Sequence, residues 1–166
     1  MLLRFILTMN NNSSSDNLLK VINIDVLTVR PDVFSSEEEK HSSPVAEIPV
    51  LNFELENGEN FLMANIPLHI AIEIARRING IESADSRLTL ATLIPELCII
   101  ERVIIDSIVP YSTAYQATID VRLEGFKEVQ HFQMIPSHAT LLALVSNAPI
   151  YVSKSLLEPS RGISHS

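Results

Sequence analysis

The clearest pattern in the chain lies at residues 111–123, where apolar and polar positions alternate. Tyr115, Ala117, Ile119, Val121 and Leu123 share one face, and Gln116, Thr118, Asp120 and Arg122 share the other. A period of two is that of a strand with one face in a core and the other open. Residues 129–135 continue the pattern, with His131 and Gln133 opposed to Phe132 and Met134. A turn through Gly125 separates the two runs. If they pair, one polar face collects His131, Gln133, Gln116, Thr118 and Asp120. Residues 19–30 and 99–109 are rich in β-branched side chains and predict strands. Residues 48–55 and 61–66 predict a hairpin, because Asn57-Gly58 tolerates the positive φ such turns require. Three stretches change period. Ile70, Ile74 and Ile78, with Ala71 and Ala75, recur at three and four and predict a helix over 67–79, ended by Gly80. Residues 89–98 predict a second helix interrupted by Pro95, and 136–147 a third. A short strand (148–153) and a helical turn (154–158) close the pattern.

A phrase occurs twice. Ile66-Pro67-Leu68-His69 opens the first helix and Ile135-Pro136-Ser137-His138 the third, 69 residues apart. Proline suits a first helical position, where its missing N–H has no intrahelical partner. Each phrase follows strand-like segments and precedes an apolar helix. The expected fold is therefore α+β: a single domain of two β3α-like repeats, with mixed or antiparallel sheets packed on helices. The domain should span residues 18–158, between a disordered leader (1–17), polar over 10–16, and a flexible tail (159–166). The Ser/Glu-rich stretch at 31–44 reads as a solvated loop.

Composition narrows the classes. The chain has 166 residues, enough for one domain with a sizeable core, and 46% of them are hydrophobic. Its net charge of −8 gives no general attraction to nucleic acid, so any such contact must be local. Cys98 stands alone in an apolar run, which excludes an intrachain disulfide and reads as a buried, inert thiol. Residues 1–9 are apolar but too short for a secretory signal, Met9 being a second candidate start, and no run is long enough for a membrane span. The expectation is a cytoplasmic protein with no membrane partner. Exposed strand edges make a homo-oligomer the natural assembly.

The C-terminal third carries a resemblance. Residues 134–153 (MIPSHATLLALVSNAPIYVS) resemble the hallmark of the bifunctional nuclease domain family, Asp-x-Arg-Pro-Ser-Asp-Ala-Ile-Ala-Leu-Ala-Leu followed by a spacer and Ala-Pro-Ile-Tyr-Val. Glu101-Arg102-Val103-Ile104-Ile105 is similar to the family's Val-Glu-Arg-Val-Val-Ile segment, and residues 62–80 resemble its first helix. The likeness runs over roughly residues 18–158. It implies a small α+β protein with DNase- and RNase-type phosphodiester hydrolysis. The polar hallmark positions differ. Gln133 stands where the family has an acid, Ile135 where it has arginine, His138 where it has aspartate, and Val145 where it has a further arginine. Residues 67–70 (PLHI) replace the family's Gly-x-x-Glu, and residues 88–93 carry no charge where the family has Thr-His-Asp.

Phosphodiester hydrolysis needs an activated water and a positive group near phosphorus. A divalent metal would serve, but the sequence offers no clear ligand set. Ser137, His138 and His69 are the candidate phosphate- or ligand-binding residues, each in the first turn of a helix where free N–H groups and the dipole favour anions. A purely structural role for both histidines is the other reading. No residue is assigned a catalytic role. Two functions stay open: a nuclease, or a non-catalytic module of the same fold that binds an anionic ligand or a protein partner.

Overall fold

The computed structural model describes residues 17–30, 47–81, 87 and 89–157. The expected leader, the acidic loop and the tail lie outside the described residues, save Asn17 at the leader's end. In chain order the elements are β1 (Leu18–Val29), β2 (Ile48–Leu55), β3 (Asn60–Met63), α1 (Leu68–Ile78), α2 (Leu90–Leu97), β4 (Cys98–Ile108), β5 (Tyr115–Leu123), β6 (Gln130–Met134), α3 (Pro136–Ser146) and β7 (Ile150–Ser153). A 3₁₀ turn (Lys154–Leu156) follows.

The fold is α+β, as expected. The seven strands form one mixed sheet in the order β3-β2-β1-β7-β4-β5-β6. Two antiparallel meanders, β1–β3 and β4–β6, flank β7, which runs antiparallel to β1 and parallel to β4. The Asn57-Gly58 turn forms as predicted, with Gly58 at φ +85° and its N–H donating to the Leu55 carbonyl at 2.8 Å. The helices cover one face, burying Leu51, Phe53 and Leu55 from the first meander and Val103, Ile105, Ala117 and Ile119 from the second in a single core. The sheet also curls. The Phe61 ring on β3 lies 5.0 Å from the Tyr115 ring on β5, although four strands separate them in the sheet. A cavity of about 290 Å³ occupies the seam between the two ends, lined in part by Met63, Tyr115 and Ser137.

The repeat is real in geometry, but its register differs from the repeated phrase. Pro67 is not the first residue of α1. It is the N-cap, with φ −57° and ψ 130°, whereas Pro136 is the first residue of α3 and Ile135 its N-cap. The N-caps Pro67 and Ile135, the C-caps Asn79 and Asn147, and the strand ends Leu55 and Leu123 are all 68 positions apart. The connections explain the slip. Strand β6 runs straight into Ile135, while a bend through Asn65, at φ +60°, separates β3 from α1. In this frame His69 corresponds to Ser137, and His138 to Ile70.

Candidate functional site

The outer face of the second meander carries a cluster of charged side chains that touch one another. Its geometry begins in β4, whose pairing with β5 shifts twice, between Ile100 and Arg102 and between Ile105 and Ser107. Such bulges set two residues of one strand against one of its neighbour and re-aim side chains. They fall at the doublets Glu101-Arg102 and Asp106-Ser107. Without them, strict alternation would send one member of each doublet into the core.

Asp120 is the centre of this face. It pairs in register with Arg102 on β4 and His131 on β6, so three strands contribute to a single rung. Its carboxyl is only 5% exposed. Burying an unpaired carboxylate costs several kcal/mol, so a native one must have partners. Asp120 has two. Its Oδ2 accepts from Arg102 Nε at 2.6 Å, and its Oδ1 lies 2.6 Å from His131 Nδ1. With Nδ1–H donating to Asp120, His131 presents Nε2 outward as a proton acceptor. The histidine is 63% exposed and the arginine 41%, so both reach solvent from a buried anchor.

A second group lies along the same face. Thr118 Oγ1 donates to Asp106 Oδ2 at 2.5 Å and Ser107 Oγ to Asp106 Oδ1 at 2.9 Å. Glu101 pairs with Arg122. The two aspartates therefore take different partners. The expected polar face is present, and the strands pair so that Asp120 opposes His131 and Thr118 opposes Gln133. Arg102 was legible as charged but not as a partner of Asp120. The signal was the pair of polar doublets interrupting a β-branched run.

The histidines singled out from the repeated phrase lie on the other side of the sheet. His69 and His138 line one cleft of about 430 Å³ between α1, α2 and α3. Two residues far apart in sequence thus converge, although the repeat does not relate them. Ser137 does not join them there. It is 2% exposed and lines the seam cavity, with its hydroxyl 3.5 Å from His138 Nδ1. Cys98 is half-buried, burial pushes its thiol above the ordinary value, and its S–H donates to the Ile94 carbonyl at 3.3 Å. This agrees with an inert thiol.

Among the described residues no group of three or more His, Cys, Asp or Glu could hold a metal ion. No helix among them is long and apolar enough to cross a membrane. The chain matches no protein-family model and no curated protein.

Proposed function

We propose that this chain is a diverged bifunctional-nuclease-type protein that hydrolyses phosphodiesters on the outer face of its second meander. The observation that supports this most is the buried Asp120 bridging Arg102 and His131. The hallmark resemblance supplies the reaction class. His131 Nε2 takes a proton from an attacking water, whose oxygen bonds to phosphorus as the P–O bond to the leaving oxygen breaks. The imidazolium then returns its proton to that leaving oxygen. Asp120 holds the ring in the required tautomer and stabilises the transient positive charge, as buried carboxylates do behind catalytic histidines. Arg102, held by the other oxygen of the same carboxylate and partly exposed, would meet a phosphoryl group with its remaining N–H groups. A divalent metal would serve the same end, but the described residues do not assemble a ligand set for one, so the steps above use side chains alone.

A local site suits a chain of net charge −8, because Arg102 supplies positive charge where the substrate lands. The outer edges of β3 and β6, unpaired among the described residues, support association with a second copy, and a single cysteine, which needs no oxidising compartment, supports a cytoplasmic location. Labelled single-stranded RNA and DNA, incubated with and without divalent metals, test the activity. His131→Ala should lower cleavage by at least ~100-fold, the usual contribution of a positioned base. Asp120→Asn should do so while shifting the pH profile. Wild-type protein that cleaves neither substrate, or His131→Ala cleaving as well as wild type, would refute the assignment.

A further inference from the structure

The cleft between α1, α2 and α3 is separate from the proposed reacting face. Three observations bear on what it holds. Its walls are apolar, with Ile70, Ile94, Leu141 and Leu142 among them. Helix α2 is largely apolar in sequence yet buries none of its residues fully: Ala91 and Ile94 pack against the core, and both also line the open cleft. The polar side chains of α1 and α3 at the cleft are mostly basic. His69, Arg77 and His138 line it against one carboxylate, Glu73, which is already paired with Arg76 at 3.6 Å.

Apolar walls with a few convergent polar groups are the usual build of a small-ligand site, and about 430 Å³ falls at the low end of the ~300–1,000 Å³ such sites span. Arg77 and the two imidazoles can donate hydrogen bonds to an anion, and the walls suit a hydrocarbon. We propose that this cleft binds a medium-chain alkyl carboxylate, its chain beneath α2 and its carboxylate against Arg77, His69 and His138. A free phosphate matches the basic groups but leaves the walls empty. An uncharged alcohol fills the walls but leaves the basic groups without a partner.

Calorimetry on the full chain, with octanoate, decanoate, decanol and inorganic phosphate kept below any micelle concentration, tests this. Decanoate should bind about tenfold or more tightly than decanol, and phosphate should give no heat. Two added methylenes from octanoate to decanoate should tighten binding roughly fifteenfold, about fourfold each, which is ~0.8 kcal/mol per methylene. Arg77→Ala and His138→Ala should each weaken decanoate by about tenfold and leave decanol unchanged. Arg77 is exposed, so its variant should fold, and the melting temperature of each unliganded variant checks this. No heat from decanoate, equal binding of decanol, or decanoate binding untouched by both substitutions would each overturn the proposal. So would a concentration-dependent dimer that forms through this cleft and gives no ligand heat. None of these results touches phosphodiester cleavage, which is read at His131.

Discussion

The two halves of the molecule share a backbone plan and differ in what they do with it. Helix α1 buries Ile70, Ala71 and Ile74 on one stripe and leaves Ile72 half exposed. Helix α3, in the same place in the second half, buries seven of its eleven residues, because α1 and α2 lie on either side of it. The outer faces differ as well. In the first meander Leu27, Val29, Ile48 and Leu62 are exposed, whereas the second carries Arg102, Asp106, Asp120 and His131. A repeated scaffold thus leaves one half free to hold the core's central helix and the buried charge. Equivalence of fold does not predict equivalence of chemistry.

Equivalent positions test this contrast most sharply. Thr140 and Ile72 occupy the same place in the two helices, but Thr140 is 0% exposed and Ile72 50%. Thr140→Lys buries an unpaired ammonium and should abolish cooperative unfolding in urea, a loss of more than ~4 kcal/mol. Ile72→Lys should stay within ~0.5 kcal/mol of the wild type. Similar midpoints for the two variants would remove the contrast between the helices.

The outer faces give the next largest effect. Asp120→Ala leaves Arg102 and His131 without their shared acceptor and should cost ~2–3 kcal/mol. Asp25→Ala, on the exposed face of β1, should cost no more than ~0.5 kcal/mol. Urea titration of both variants measures the difference.

The helix ends follow. Asn147 caps α3 at φ +54°, a conformation that costs an ordinary residue ~1–2 kcal/mol, whereas Asn79 caps α1 at φ −90° and donates from Nδ2 to the Ala75 carbonyl at 2.7 Å. Asn147→Gly should be neutral or slightly stabilising. Asn79→Gly should lose ~0.5–1.5 kcal/mol with its hydrogen bond. Thermal melts in which the two glycines behave alike would show that the caps are equivalent after all.

The smallest effect is a pH dependence at Cys98, between α2 and β4. Burial raises its thiol above the ordinary value of about 8.5, so the folded state holds its proton longer than the unfolded chain does. That preference stabilises the fold fully below the unfolded value and is lost as pH rises through the folded one. Relative to Cys98→Ala, the wild type should lose a little stability above about pH 9. Its alkylation by iodoacetamide at pH 8 should be several-fold slower than in urea.

Much of this was readable from residue order. The alternation through Tyr115 and Leu123 fixed which face of β5 is polar. Period two also put His131 and Gln133 on that face, whereas their partners Asp120 and Thr118 are set by the β5–β6 register, which a slip of two residues would change without moving any side chain to the other face. The duplicated Pro-x-His phrase located both helix starts but misplaced their equivalence by one residue, because the left-handed bend at Asn65 has no counterpart before Ile135. Arg102 as a partner of Asp120 was not readable, since a bulge breaks the alternation that a pattern reading assumes. The cleft joining His69 to His138 was not readable either, because α2 is placed by packing against β4 and α3 rather than by any periodicity of its own.

Strand β7 has a consequence for assembly of the molecule. Among the described residues it is the last strand, yet it sits between β1 and β4 and is the sole hydrogen-bonded link between the two meanders. During synthesis both neighbours must wait with an open side until Val152 reaches Leu19 across nearly the whole described chain. Closures over such long sequence separations form slowly. A polypeptide cut short after α3 would leave two hairpin-rich fragments with bare inner margins, the raw material for aggregation rather than a smaller working protein.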